Sequence, residues 1–214
     1  MSSTRIVPAN QATNTFKVAN STFVSNGSPV FSIVQAKEFI LKIRSKYPDA
    51  AHNVPVYIIG HPPSVVEHSS DDGEPAGTAG RPALAVLRGS GFGDIAVVIT
   101  RYFGGTKLGT GGLVRAYSDS MRDLLAIIPK AEKISTITTQ IRIEYPLFGQ
   151  VEHLVENHSG DILQQDFKLD ISLELKFKAA KFKQFQTELL TLTNGKVTAQ
   201  PLNKNPNDII PLKD

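Results

Sequence analysis

The residues with the most unusual chemistry lie in two glycine-rich segments. Eleven of the sixteen glycines of this 214-residue chain fall between residues 73 and 112. The first segment reads D-D-G-E-P-A-G-T-A-G-R-P over residues 71–82, and the second reads R-Y-F-G-G-T-K-L-G-T-G-G-L-V-R-A-Y over residues 101–117. Glycine lets a backbone adopt positive φ angles and approach a ligand closely, and a hydrophobic core has no need of so many. We therefore predict that the two segments form the functional site.

The second segment is predicted to bind an anion. It joins an apolar run at residues 95–100, typical of a strand covered on both faces, to an amphipathic helix that Pro129 ends. A glycine-rich turn in this position directs backbone N–H groups towards one point, where the helix dipole adds positive potential. The residues predicted to bind a phosphate or a nucleic-acid backbone are Arg101, Gly104, Gly105, Lys107, Gly109, Gly111, Gly112 and Arg115. Neither G-x-G-x-x-G nor G-x-x-x-x-G-K-[ST] is present, so a purely structural turn is the alternative.

The first segment carries a cluster of charges formed by Asp71, Asp72, Glu74 and Arg81. Three carboxylates in four residues could hold Mg²⁺ through one or two oxygens and bound waters. They could equally cap the helix predicted over residues 78–87, or form ion pairs with the cations of the two segments. We favour this loop-ordering role, which requires no cofactor, and the identity of any metal is unknown from the sequence.

Hydrolytic or thiol chemistry has little support in the sequence. The chain has no cysteine, and its five histidines show neither H-x-x-x-H nor H-E-x-x-H spacing. No G-x-S-x-G elbow is present. Phe92, Tyr102 and Phe103 lie near the basic turn and could stack on nucleic-acid bases, although aromatic residues beside a buried strand more often belong to the core. Catalysis is therefore not the favoured interpretation.

The composition is that of an ordinary globular protein, with 41% hydrophobic and 20% charged residues. No apolar run approaches the roughly 18 residues of a membrane helix, and the first ten residues lack a secretory pattern, so we expect a cytoplasmic location without membrane attachment. The net charge is +3, and residues 1–130 hold 13 basic against 9 acidic residues. This excess suits a nucleic-acid partner but is also within statistical scatter, because a binding patch needs clustering on one face.

The elements that position the two segments can also be predicted. The first domain, residues 1–130, should contain one or two strands over residues 16–26, a helix over residues 32–47 that starts with a capping box of Ser32 and Gln35, and a strand over residues 54–59. The second domain, residues 131–200, reads strand, helix, strand, strand, helix, strand, the order of a ferredoxin-like split sandwich. Residues 201–214 contain three prolines and no periodicity, which predicts a loose tail.

Taken together, the two glycine-rich segments resemble the YigZ/IMPACT family. Its hallmark is a D-D-G-E-P-x-G-T-A-G stretch followed by R-Y-F-G-G-x-x-L-G-x-G-G-L-x-R-A-Y, and both are present here without a break. The resemblance covers residues from about 15 to 200 and implies an α+β fold of two domains. The N-terminal domain would be like the second domain of a small-subunit ribosomal protein. The C-terminal domain would be ferredoxin-like, as in the last domain of elongation factor G.

The resemblance is to the two-domain bacterial type of the family. Eukaryotic members carry an extra N-terminal interaction domain and act on the translational stress response through partner proteins. Three positions depart from the family pattern: no basic residue precedes Phe23, and Asn53 and Val54 follow His52 where a second histidine and a cysteine are common. These departures argue against a function that needs a metal or a thiol near His52, which we keep as a candidate site residue.

Three functional hypotheses follow. The favoured one is a cytoplasmic, non-enzymatic binding protein that engages RNA or the ribosome without DNA sequence specificity and modulates translation. The second is an enzyme or binding protein for a small phosphorylated or anionic ligand, with the carboxylates acting through Mg²⁺. The third is a protein–protein regulatory adaptor in which the glycine-rich motifs are structural.

Overall fold

A computed structural model describes residues 5–212, and the chain divides into two compact units. The first unit contains the chain up to Lys133 and again from Ile209, and the second contains Ile134–Asp208. The division falls close to the boundary predicted after residue 130, but the last residues return to the first unit. Each unit has its own hydrophobic core. The protein therefore has a mixed α/β fold of two units.

The first unit is built on an antiparallel five-stranded sheet in the order β2-β3-β6-β4-β5. Its strands are β1 (Ile6–Pro8, outside this sheet), β2 (Ala12–Val18), β3 (Ser21–Pro29), β4 (His52–His61), β5 (Ser64–Ser69) and β6 (Ile95–Tyr102). Its helices are α1 (Ile33–Lys46), α2 (Gly80–Gly89) and α3 (Gly109–Ile127). The sequence did not predict β1 or β5. None of the helices between residues 5 and 212 combines the length and hydropathy that a membrane span requires.

Strand β6 lies at the centre of this sheet and is covered on both faces, as its continuous apolar run predicts. Ile95, Val97 and Ile99 belong to the core that α2 and α3 cover, whereas Ala96 and Val98 belong to the core under α1. The second glycine-rich segment starts at Arg101, near the end of β6, and leads into α3.

The helix ends follow the predicted signals with small differences. Ser32 Oγ accepts the Gln35 N–H at 3.2 Å and starts α1, while the Gln35 side chain accepts the N–H of Phe31 at 2.7 Å. Helix α2 begins at Gly80, two residues later than predicted. Helix α3 buries the apolar side that the sequence indicates, including Leu113, Tyr117, Met121 and Leu124.

The second unit contains the predicted order of strand, helix, strand, strand, helix and strand. These elements are β7 (Lys130–Ile143), α4 (Phe148–Asn157), β8 (Asp161–Phe167), β9 (Ile171–Lys178), α5 (Ala179–Leu192) and β10 (Gln200–Pro211). Of β7 only the residues from 134 onwards belong to this unit, and of β10 only those up to 208. The strands lie in the order β10-β7-β9-β8. Alternate residues of β9 from Ile171 to Phe177 are buried against Val151 of α4 and Phe185 of α5. The period-2 pattern of β9 therefore predicted its buried face correctly.

The prediction of a loose tail over residues 201–214 is wrong for the part that the structure describes. Strand β10 occupies Gln200–Pro211 and pairs with β7. Thr139 Oγ1 donates to the Gln200 carbonyl at 2.7 Å, and Thr136 Oγ1 donates to Asp208 at 2.8 Å. Most side chains of β10 are exposed, so the strand has no apolar alternation to reveal it. Its partners on β7, rather than its own pattern, determine that it is extended.

Candidate functional site

The two glycine-rich segments meet at the side chain of Glu74. This carboxylate is buried between the loop that precedes α2 and the end of β6. Arg101 Nη1 donates to its two oxygens at 2.7 Å and 3.0 Å, and the Tyr117 hydroxyl donates to Oε1 at 2.8 Å. One acidic residue from the first segment therefore joins a strand end and a helix from the second. A buried ion pair of this kind holds its elements in one arrangement, because neither charge can be left alone.

Arg101 is buried rather than presented to a ligand as an exposed cation, which corrects the prediction that it contacts phosphates alongside Lys107 and Arg115. The residue is only 5% exposed, and its guanidinium lies 5.5 Å from the ring centroids of both Phe23 and Phe103. Its Nη2 reaches Ser21 Oγ only at 3.5 Å, and its Nε is a buried donor with no hydrogen-bond partner in the described part of the chain. Arg101 thus belongs to the interior of the site.

Tyr117 is a site residue that the sequence reasoning assigned only to the core. Burial raises the pKa of its hydroxyl, and the charge of Glu74 and the hydrogen bond to it raise that pKa further. The hydroxyl is therefore a permanent donor to Glu74 at neutral pH. A signal was present in the sequence: a tyrosine in the buried stripe of a helix needs a partner for its hydroxyl.

The side chain of Asp71 caps the N-terminus of α2. Its carboxylate accepts the N–H groups of Gly77 at 2.7 Å, Ala79 at 3.1 Å and Gly80 at 2.8 Å. Burial raises the pKa of this carboxyl, but the three backbone hydrogen bonds outweigh burial, and the exposed Arg81 guanidinium adds to them, so that the pKa lies below its ordinary value. The side chain acts as the cap that α2 lacks from its own N-cap residue, Ala79.

Asp72 fixes the other end of the loop. It adopts a positive φ of 49°, accepts the N–H of Asn53 at 2.7 Å and pairs with Arg44 of α1. Its carbonyl lies 2.8 Å from His52 Nδ1, and His52 Nε2 lies 3.8 Å from Glu74. The three carboxylates thus have three different sets of protein partners. Among residues 5–212, no group of three or more histidine, aspartate or glutamate side chains is arranged to hold a metal ion.

The glycines of the second segment differ in what the fold requires of them. A Cβ on Gly104 would lie 2.0 Å from the carbonyl carbon and oxygen of Asn20, and Gly105 and Gly109 have φ angles of +83° and +70°. A Cβ on Gly112 would lie 3.0 Å from Leu108 Cβ. Around Gly111, by contrast, a Cβ would meet nothing within 4 Å, and its φ is not in the positive range. The fold therefore explains every one of these glycines except Gly111.

The first turn of α3 is open and carries basic neighbours. No side chain in the described part of the chain caps it, and it contains no acidic residue. The first N–H groups of a helix have no partner within the helix, so they are available here. Lys107 immediately before the helix and Arg115 within it are both exposed. These features together form a basic helix start.

A cavity of about 340 Å³ opens beside this helix start. Its walls include the apolar residues Pro75, Phe103, Leu108 and Leu113, and Arg101 and Glu74 form its polar side. Gly109 and Thr110 of the first turn of α3 also line it. The cavity volume is at the lower end of the range typical of ligand sites, roughly 300–1,000 Å³.

The fold and the site define a protein of two α/β units whose glycine-rich segments are locked by a buried Arg–Glu pair. The family described as the Impact N-terminal domain matches residues 19–125, and the family described as a domain of unknown function (DUF1949) matches residues 141–196. The IMPACT family member YigZ of Escherichia coli is 34% identical over 89% of this chain and 94% of that protein. An IMPACT family member of Haemophilus influenzae is 33% identical over 92% of this chain and 96% of that protein. The chain belongs to the IMPACT family, which confirms the resemblance that its motifs indicate.

Solved structures agree with this membership. A crystal structure of a protein described as hypothetical is 33% identical, with a TM-score of 0.64, and the match covers 94% of this chain and 98% of that one. A two-domain translational regulator superposes with a TM-score of only 0.36 over 56% of this chain and 46% of that chain. A superposition that poor carries no argument about fold or function.

Proposed function

We propose that this protein binds RNA, free or within the ribosome, through the basic helix start of α3, and that it modulates translation in the cytoplasm by this binding. The observation that carries the proposal is Gly111, a glycine in the first helical turn that the fold does not require. A glycine in a helix costs up to about 1 kcal/mol relative to alanine. A phosphate that must approach the backbone closely would account for it.

The charges around Gly111 suit a phosphate. Open N–H groups and the helix dipole favour an anion at the start of α3. Lys107 and Arg115 are exposed on either side of Gly111 in the sequence, and the first turn has no carboxylate to compete with a bound anion. Arg101 would act indirectly, because its pair with Glu74 holds the end of β6 and the loop before α2 together. Asp71 and Asp72 would order that loop.

We include in the proposal the two domain assignments that the resemblance implies. The strand order β10-β7-β9-β8 with α4 and α5 is consistent with a ferredoxin-like second unit. The first unit would correspond to the second domain of a small-subunit ribosomal protein. Neither assignment by itself specifies a function, because one fold serves many.

The test is RNA and ribosome binding at two salt concentrations, with wild type and a Lys107→Ala, Arg115→Ala variant. A Lys37→Ala, Lys42→Ala variant is the matched control, because it removes two exposed lysines from α1, on the other side of the sheet. We expect the first variant to bind more weakly and its salt dependence to fall by roughly 0.7 in log K per decade for each lost contact with a single strand. The control should bind as wild type does. Affinity that is independent of salt, or equal in wild type and the first variant, would contradict the proposal.

The Gly111→Ala variant tests the same proposal in a second way. The added Cβ meets open space, so the free energy of unfolding should stay the same or rise by up to about 1 kcal/mol. RNA affinity should nevertheless fall, because the Cβ would stand where a phosphate approaches. An alanine variant that is stable and binds RNA normally would show that the glycine serves no ligand.

A second candidate function is binding of a small phosphorylated ligand, which the cavity beside α3 favours. If this function is correct, mononucleotides or inorganic phosphate should raise the melting temperature of the protein, with or without Mg²⁺. The protein should then bind neither RNA nor ribosomes. Loss of that stabilisation in the Lys107→Ala, Arg115→Ala variant would assign the ligand to this site. No stabilisation by any of them would remove this candidate.

A further inference from the structure

We infer that the cavity beside α3 receives one unpaired base of a single-stranded RNA while the adjoining phosphate lies at the helix start. This inference deepens the proposed function and rests on it. It specifies the class of RNA, a flexible single strand, and it assigns the base to the apolar walls of the cavity. Three observations carry this inference.

The first observation is the exposure of Phe103. Of the three aromatic residues near the basic turn, Phe92 is buried, and the Tyr102 hydroxyl donates to Asp49 at 3.0 Å. Phe103 is 51% exposed, lines the cavity and packs on the Arg101 guanidinium. An exposed aromatic ring beside cationic side chains is the platform on which unpaired bases stack in single-strand binding proteins.

The second observation is the unsatisfied donor of Arg101. Among residues 5–212 its Nε has no hydrogen-bond partner, although the side chain is more than nine-tenths buried, and a buried donor without an acceptor destabilises a protein. Arg101 lines the cavity, and its Nη1 is held by Glu74, whereas its Nη2 contacts Ser21 only at 3.5 Å. A carbonyl on the edge of a base inside the cavity would supply an acceptor for the donors of this side chain that Glu74 does not use.

The third observation is the continuity between the cavity and the helix start. Gly109 and Thr110 belong to the first turn of α3 and also line the cavity. A nucleotide bound with its phosphate at this turn therefore has its base beside the walls formed by Phe103 and Leu113. Bases of a duplex are paired and stacked inside the helix, so they cannot enter such a cavity without leaving the stack. The cavity should for this reason distinguish single strands from duplexes.

The experiment compares a short single-stranded RNA, the same strand in a duplex, and the same strand with abasic nucleotides, by fluorescence anisotropy at two salt concentrations. The variant is Phe103→Leu, which keeps an apolar side chain and removes the ring. Tyr145→Leu is the control, because Tyr145 is also 51% exposed but lies in the second unit. We expect the single strand to bind about tenfold or more tightly than the duplex, in line with the loss of one stacked base.

Phe103→Leu should remove most of that difference without changing the salt dependence, and abasic RNA should bind like the duplex. Suppose that all three RNAs bind equally, that Phe103→Leu has no effect, and that binding still depends on salt and on Lys107 and Arg115. This result would overturn the base-binding inference and leave the proposed function intact. The absence of any salt-sensitive binding would instead overturn the proposed function, and the inference with it.

Discussion

At the scale of single residues, Glu74 is the side chain on which the site depends most. It accepts hydrogen bonds from Arg101 and Tyr117, which come from a strand end and from α3. Neither Arg101 nor Glu74 has appreciable contact with solvent. Each therefore requires the other, because an unpaired charge in the interior is strongly destabilising.

Glu74→Gln should lower the free energy of unfolding by about 3–5 kcal/mol, because it leaves the Arg101 charge buried without a counter-charge. Urea unfolding followed by circular dichroism measures the change. Asp119→Asn is the control: Asp119 pairs with Arg122 on the exposed surface of α3, and such a pair contributes less than about 1 kcal/mol. Equal effects of the two substitutions would show that the Arg101–Glu74 pair is not a buried interaction of the folded protein.

Asp71 gives the site a dependence on pH. Its folded-state pKa lies below the ordinary value of 3.8, so its ionised form stabilises the fold at neutral pH, and that contribution is lost as the pH falls below about 3.8. Asp71→Asn should therefore be less stable than wild type at pH 7, and the gap should narrow at low pH. Urea midpoints measured from about pH 7 down to about pH 2.5 test this. A gap of constant size across that range would mean that the carboxylate charge makes no contribution.

At the scale of elements, the close approach of two turns is a constraint on the site. Gly104 follows β6, and the carbonyl of Asn20 in the turn between β2 and β3 occupies the place where a Cβ would stand. Gly104→Ala should therefore cost about 1–3 kcal/mol or more in stability, since backbone atoms must move. Gly89→Ala is the matched control, because a Cβ there meets nothing within 4 Å. Thermal unfolding of the two variants should differ by several degrees, and identical melting temperatures would contradict the close contact.

The elements also show how far the sequence predicts the structure. Strong periodic signals, such as the buried side of α3, the alternation in β9 and the apolar run of β6, all indicated their elements correctly. The sequence did not predict strands β1 and β5, and it placed the last strand of the second unit before residue 201 instead of at Gln200–Pro211. These segments are short or mostly exposed, and their conformation depends on their partners. A one-dimensional pattern contains no information about such pairing.

The same limit applies to the candidate site. The sequence identified the two segments and the loop-ordering alternative for the carboxylates, but it did not identify their partners. Arg44 lies 28 residues before Asp72, and Tyr117 lies 43 residues after Glu74. The burial of Arg101 follows from these distant contacts, which is why a motif arginine was predicted to be an exposed phosphate ligand.

At the scale of the whole molecule, two strands continue from one unit to the other. Residues of β7 and β10 are divided between the units at Lys133 and Asp208. Strand β10 accepts hydrogen bonds from the hydroxyls of Thr136 and Thr139, and its Asp208 pairs with Lys176. Strand β10 is thus hydrogen-bonded to the sheet of the second unit.

Removal of residues 201–214 should lower the stability of the second unit by about 2 kcal/mol or more, since the contacts of Asp208 with Thr136 and Lys176, of about 1 kcal/mol each, are lost together with most of β10. Urea unfolding measures this. Asp208→Ala is the milder variant, in case the truncated chain does not fold, and it should lower stability by removing the contacts to Thr136 and Lys176. Full stability of both variants would support the loose tail that the sequence suggested.

The first unit holds both ends of the described chain beside one short stretch of β7. Ile6–Pro8 pairs with Lys130–Glu132, and the N–H of Leu212 donates to the carbonyl of Lys130 at 3.0 Å. Neighbouring strands are about 5 Å apart, so a linker of a few residues would span the distance between the two ends. The present order of the segments along the chain is consequently not the only order that can encode this fold. A chain joined from residue 212 to residue 5 and opened at Leu169, which is 93% exposed in the β8–β9 turn, would pass through the same three-dimensional path from a different starting point.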